Sequence, residues 1–224
     1  MKILIVADIH ANYEALDAVL EKEGFDRIIC AGDLIGYGVR PNKVVQALKS
    51  QEADIIQGNH DASAVGQFQA RFNPSAELAL EYNREDLEDE NWEFLEDLPE
   101  SLRDQFDGAD IAVFHGSPRR LDEYVYRKDV DGEFISENFE QRPDVVVMAH
   151  THVPYSKTVS DVEVVNPGSV GQPRDRRPEA SYAVLDTGDM SVELKRTAYD
   201  VEKAAEEVEE KLTERLAERL REGR

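Results

Sequence analysis

The sequence predicts an α/β fold, a two-layer β-sandwich flanked by helices, and three observations predict it. Apolar runs at residues 2–7, "RIICAGD" and "ADIIQGN" alternate with two amphipathic segments. That rhythm implies parallel strands joined by crossover helices. Two further apolar runs, "ADIAVFHGSP" and "PDVVVMAHTHVP", end on histidines. The later segments "VEVVNPGS", "SYAVLDT" and "SVELKR" are short, alternating and separated by turn residues, as expected of a second, largely antiparallel sheet.

The helices follow from spacing. In residues 12–22, Ala15, Leu16, Val19 and Leu20 recur at helical intervals, and Gly24 supplies the stop. Pro41 can open the second helix, which Val44, Val45 and Leu48 continue. A helical and very acidic segment spans about 74–98, with Trp92, Phe94 and Leu95 expected to face inward. The last helix is expected over about 200–222, with Asp200 as N-cap. Its apolar stripe is Val201, Ala205, Val208, Leu212, Leu216 and Leu220. Glu early and Arg late suit its dipole. The stripe fits either its own domain or a second copy, so a homo-oligomer through this helix is one reading. No linker, repeat or low-complexity segment interrupts the chain, and residues 1–224 read as a single domain.

Charge narrows the function. The chain carries 48 acidic against 26 basic residues, a net charge of -22. Such a field repels nucleic acid and anionic membranes. Arg outnumbers Lys, 17 to 9. Many acids and few lysines suggest a protein kept soluble in high salt, as in a halophile, over an ordinary acidic cytosolic protein. No apolar run reaches the eighteen or so residues of a membrane span. The opening "MKILIVADIH" is too short and too soon charged for a signal-peptide core. The single cysteine, Cys30, reads as a buried strand residue and fits a reducing compartment, so a cytoplasmic location is expected.

The histidines carry the chemistry. All five, His10, His60, His115, His150 and His152, lie just past an apolar strand-like run, as does Asp33. In open α/β sheets ligands bind beyond the carboxyl ends of the strands. Asp8, His10, Asp33, Asn59, His60, His115, His150 and His152 would therefore converge on one edge. In Asp8-x-His10 and His150-x-His152, side chains two apart on extended backbone point the same way and can share one metal. Asp33 offers two oxygens and can bridge two ions. Nitrogen and oxygen donors without thiolates favour Mn, Fe, Ni, Co or Zn over Ca.

Asp8-x-His10, Gly32-Asp33, Gly58-Asn59-His60-Asp61, His115 and His150-x-His152 resemble the five ordered motifs of the calcineurin-like metallophosphoesterases. The resemblance covers most of residues 1–170. "GDLIGYGVRPN" and "NPGSVGQPRD" resemble the small prokaryotic, phosphodiesterase-like branch. It implies the αββα architecture and two divalent ions, with Mn the first expectation and Ni, Fe, Co or Zn the alternatives. It implies Asp8, His10, Asp33 and His152 at one ion, and Asp33, Asn59, His115 and His150 at the other. It implies that a hydroxide shared by the ions attacks phosphorus in a phosphodiester or phosphomonoester. His60 would stay off the metals as the catalytic side chain, stabilising charge or protonating the leaving oxygen.

Departures from the family pattern bear on substrate. Ser/Thr phosphatases of the superfamily carry Asp and Arg where this chain has Gly36 and Tyr37, which weakens a protein-phosphatase reading. His60 thereby lacks its usual partner, for which Asp61 is a substitute candidate. Ala149 stands where the last motif normally begins with Gly. A dinucleoside polyphosphate hydrolase or protein phosphatase is the alternative enzyme, and a non-catalytic scaffold of the same fold the alternative class. Filled ligand positions argue against the scaffold. Asn12 and Tyr37 are candidate substrate contacts, as is Arg174 in the basic cluster Arg174, Arg176 and Arg177. The loops at 62–105 and 117–140 would set specificity.

Overall fold

The computed structural model covers residues 1–224. Strands β1 (Lys2–Val6), β2 (Arg27–Cys30) and β3 (Asp54–Ile55) run parallel, joined by helices α1 (Tyr13–Lys22) and α2 (Pro41–Ser50). The crossover rhythm of the first sixty residues is thus realised. Facing this sheet is a second, made of β4 (Ser101–Phe106), β5 (Ala109–Phe114), β6 (Val145–Val147), β7 (Tyr155–Val159) and β8 (Val162–Asn166). Its order is β4-β5-β6-β8-β7.

The second sheet differs from the expectation. β5, β6 and β8 are parallel, and only the hairpins at its two edges are antiparallel. The final strands, β9 (Ala180–Asp186) and β10 (Ser191–Thr197), return to the first sheet as β10-β9-β1-β2-β3. The reason is burial. β9 is covered along nearly its whole length and needs partners on both sides, which β1 and β10 supply.

Strand alternation builds two cores at once. Ile3 and Ile5 point between the sheets, against Ile111, Val113, Val147 and Val165. Leu4 and Val6 point the other way, onto Leu16, Val19, Val44 and Leu48 of the covering helices. Helix α6 (Gly132–Asn138) places Phe134 and Ile135 on Val146, Met148 and Val164 outside the second sheet. Each such side chain contributes about 1.5–3 kcal/mol by leaving water. Cys30 lies fully buried in β2.

The acidic segment forms α4 (Pro74–Asp86) and α5 (Asp89–Glu96), with Leu95 buried and Trp92 and Phe94 half-buried. The C-terminal segment is two helices, not one. α7 (Val201–Lys211) ends at Leu212, and α8 (Glu214–Glu222) starts afresh at Thr213, whose hydroxyl accepts from the Leu216 N–H at 3.3 Å. Its apolar residues pack inside the chain: Ala205, Val208, Leu216 and Leu220 lie with Tyr37, Val39, Ala76 and Ala79. No helix is long and apolar enough to cross a membrane.

The acid excess yields a stability prediction. Carboxylates repel over about 30 Å at 0.01 M salt and about 3 Å at 1 M. With a net charge of -22, the compact state should gain stability as salt rises. The melting temperature of metal-saturated protein is expected to climb between roughly 0.1 M and 3 M KCl as screening shortens that range. A flat or falling curve rejects adaptation to high salt.

Candidate active site

The carboxyl ends of β1, β2, β5 and β6 meet at one edge, together with the start of a short helix, α3 (Asn59–Ala64), that follows β3. Asp8, His10, Asp33, Asn59, His60, His115, His150 and His152 are all buried there. Their convergence costs backbone energy. Asp8, His10, Asp33, His150 and His152 all have positive φ, between 50° and 64°. For side chains with a Cβ that region costs on the order of 1 kcal/mol or more each, and it concentrates at functional sites.

Hydrogen bonds aim the rings. Nδ1 of His10 meets the Ile35 carbonyl at 3.0 Å, Nδ1 of His115 the Ala31 carbonyl at 2.8 Å, and Nδ1 of His152 the Gln172 carbonyl at 2.6 Å. A carbonyl only accepts, so each Nδ1 carries the hydrogen. Each Nε2 is then turned inward as a potential ligand. Nε2 of His10 and Nε2 of His152 lie 3.2 Å apart, with Asp8 Oδ1 at 4.0 and 3.5 Å respectively. Two inward lone pairs at that separation need a cation between them.

The carboxylates are divided in the same way. Asp8 Oδ2 accepts from the His150 N–H at 3.1 Å, and Asp33 Oδ1 from the His60 N–H at 2.8 Å. Asp8 Oδ1 and Asp33 Oδ2 are buried and have no partner, as are both ring nitrogens of His150. Asp33 therefore offers one free oxygen toward the ions, where its residue type suggested two. That oxygen lies 3.7 Å from His10 Nε2 and 3.3 Å from His115 Nε2, between the two halves of the cluster. Asn59 Oδ1 is 3.1 Å from His115 Nε2. Donor atoms within 4.8 Å of one another define the groups Asp8–His10–His152 and Asp33–His115–His150, and a third, His10–Asp33–His60. Orphaned oxygens beside oriented imidazoles fit divalent cations, and this N/O donor set fits the first-row transition metals.

Burial sets the protonation states. It pushes His60 down to about 4 and His150 to about 3, and drives His10 and His152 well below the usual range. Metal ligation requires neutral imidazole, which these rings already supply. Burial also acts on His115, but the Asp33 and Asp8 charges override it and raise this ring to about 9. Asp33 is buried too, yet the charges of His115 and His60 hold it well below the carboxylate range.

Residues 1–190 match the family model of the calcineurin-like phosphoesterase superfamily domain. The chain belongs to that superfamily. This phosphoesterase is 34% identical to the uncharacterized protein MJ0912 of Methanocaldococcus jannaschii, covering 92% of this chain and 91% of that one. It is 27% identical to the phosphodiesterase YfcE of Escherichia coli, over 86% of this chain and 91% of that protein. The crystal structure of a metallophosphoesterase from Sphaerobacter thermophilus superposes with a TM-score of 0.86 at 33% identity, covering 100% and 99% of the two chains. The family makes this protein a metal-dependent hydrolase of phosphate esters.

A cavity of about 410 Å³ opens over the phosphoesterase cluster. Tyr37 and Arg174 line it together with Asp33, Asn59, His60, His150 and His152. Arg174 has no carboxylate partner, and its guanidinium stands over the Tyr37 ring at 5.8 Å, with Nη2 3.4 Å from the hydroxyl. Arg177 instead pairs with Glu179 at the surface. Asn12 does not line this cavity. Its carboxamide accepts from the Ala15 N–H, capping α1, and donates to the Gly171 carbonyl and the Tyr199 hydroxyl. With those bonds made it is a structural residue, so the expected substrate contact is corrected. Asp61 likewise does not reach His60. Its carboxylate accepts from the N–H groups of Gly58, Leu34 and Ile35, tying the Gly-Asp loop to α3.

Sequence reasoning missed Arg71, Phe72, Arg120 and Tyr124, which also line the cavity. All lie in the two loops marked for specificity. The available signal was arginine next to aromatic residues in a strongly acidic chain, as in "QARFN" and "RRLDEYVYR".

Proposed function

We propose that this phosphoesterase holds two divalent ions and hydrolyses phosphodiesters or phosphomonoesters. The observation that carries the reading is the orphaned Asp33 Oδ2 set between two oriented histidine clusters. Asp8, His10, Asp33 and His152 would hold one ion, and Asp33, Asn59, His115 and His150 the other. Ions held there supply Lewis acidity toward the phosphoryl oxygens and acidify the attacking water. Mn is the first choice, with Ni, Fe, Co or Zn able to use the same donors.

The chain's own groups do the rest. Arg174 meets the phosphoryl group as a cation free of any carboxylate partner, steadied by the Tyr37 hydroxyl. His60 faces the cavity while its Nδ1 is buried without a partner. A Cβ on Gly36 would collide with that Nδ1, so no side chain can serve it from there. A neutral imidazole has one hydrogen, and burying it unpaired at Nδ1 is costly. The hydrogen therefore belongs on Nε2, where it donates to a phosphate oxygen. Gly36 and Tyr37, in place of an acid and an arginine, do not favour a protein phosphatase.

Chelated protein is expected to hydrolyse neither bis-p-nitrophenyl phosphate nor p-nitrophenyl phosphate, and added Mn to restore turnover. Full activity after exhaustive chelation would overturn the reading.

A further inference from the structure

The end of helix α8 reaches two groups that line the cavity, Tyr37 directly and Arg174 through its loop. The Arg219 guanidinium stands 5.3 Å from the centre of the Tyr37 ring, and that of Arg174 stands 5.8 Å from it. One ring thus meets two cations. Beyond Arg219, Gly223 is fastened to the segment that carries Arg174. Its carbonyl accepts from the Arg176 N–H at 2.8 Å, and a Cβ there would meet the Arg177 nitrogen at 2.5 Å.

A basic residue in the last turn of a helix is ordinary, because it suits the dipole. Arg221 follows that pattern and pairs at the surface with Glu202 and Glu209 of α7. Arg219 does not. It is half-buried, its Nε donates to the Arg224 carbonyl at 3.0 Å, and no acidic side chain pairs with it. Burial pushes it down from its ordinary value and the Arg174 charge adds to this, while Tyr37 acts the other way. It remains a cation, since guanidinium keeps its proton in proteins. The loop under the ring is fixed separately: buried Asn83 of α4 accepts from the Gly36 N–H and donates to the Gly38 carbonyl at 2.9 Å. With the backbone on both sides of Tyr37 held, its side chain is left to place, and Arg219 lies against it.

We propose that Arg219 is a positioning residue for the phosphoester site: its cation holds the Tyr37 ring, and the ring in turn holds the Arg174 guanidinium toward the phosphoryl group. This rests on the phosphoesterase reading of the same site. A cation over an aromatic face is attracted by the ring quadrupole, more strongly where water is excluded. Two cations at one ring also repel each other, and Arg174 Nε is buried without an acceptor. An anion in the cavity relieves the repulsion, so the arginines stand arranged for phosphate before it arrives. In a chain of net charge -22, this is where an anionic substrate meets local positive charge.

KM and kcat of Mn-loaded protein for bis-p-nitrophenyl phosphate test the proposal. Arg219→Met keeps the length and apolar stem of the side chain but removes its charge. It is expected to raise KM by about 3- to 30-fold, the scale of a partly buried cation–π contact. Because the lost contact serves binding, kcat should stay within about threefold, with bound metal as in wild type. Arg219→Lys, which keeps a cation but no planar guanidinium, should fall between the two. In a Tyr37→Leu background the Arg219→Met change should raise KM by less than about twofold, since the ring through which it acts is gone. A side chain that only packs α8 would lower the melting temperature and cost the same in both backgrounds. An unchanged KM in Arg219→Met, or an equal rise with and without Tyr37, overturns the proposal. Mn-dependent hydrolysis by the wild-type sample reports separately on the phosphoesterase reading.

Discussion

Asp33→Ala should reduce turnover of bis-p-nitrophenyl phosphate by about 1,000-fold or more and lower the bound metal below two ions per chain. The motive is geometric. Asp33 Oδ2 is the one unpartnered oxygen that stands between both histidine clusters. If it bridges as proposed, its loss would affect both ions, and several kcal/mol of charge stabilisation in the transition state would go with them. At about 1.4 kcal/mol per decade that is three decades or more. The other oxygen complicates the variant, since Oδ1 holds the His60 N–H. Residue 33 also sits at φ 55°, which alanine tolerates less well than Asp or Asn. Asp33→Asn is therefore the control. It keeps the backbone and one acceptor but removes the charge, and it should retain the fold while still losing metal and activity. Two ions bound by either variant, with turnover within about threefold of wild type, would show that Asp33 does not bridge, because a lost bridge should cost decades.

The convergence of the candidate ligands was legible because the topology does their assembly. Parallel strands linked by crossover helices bring every strand's carboxyl end to one edge, so a local motif such as Asp8-x-His10 is enough to place a side chain there. What was not legible depends on distant partners. Nothing local in "SYAVLDT" tells whether it pairs with β8 or with β1, and the choice falls to a register across nearly the whole chain. Asn12 reads in the sequence as a candidate substrate contact, and the partners that occupy its carboxamide, Gly171 and Tyr199, lie 159 and 187 residues away. The positive φ of Asp8, His10, Asp33, His150 and His152 is equally hidden, because Asp and His do not announce it as Gly does. The break between α7 and α8 is the exception. Thr213 three residues before Leu216 is a readable cap, masked by an apolar stripe that runs through it.

His60→Ala should keep both ions and slow turnover of alkyl phosphate esters by about 100- to 1,000-fold, the usual cost of a preorganised donor. Geometry leaves the residue two roles. Its ring lies within ligand distance of His10 and Asp33, and it also lines the cavity where substrate sits. The donor role is favoured by where its hydrogen belongs. Burial holds His60 at about 4, so the ring is neutral at neutral pH. Nδ1 is shut away against Gly36 with no acceptor, which argues for the single hydrogen on Nε2, facing the cavity. Tyr37 and Phe72, with ring centroids 4.8 and 4.4 Å away, pack the imidazole in that orientation. A donor to the leaving oxygen matters most when that oxygen leaves as a strong base. The loss in His60→Ala should accordingly be small for p-nitrophenyl esters and larger for alkyl esters. His60→Gln should recover part of it, because its amide can still donate. Metal analysis decides between the two roles: His60→Ala or His60→Gln with fewer bound ions than wild type would make His60 a ligand.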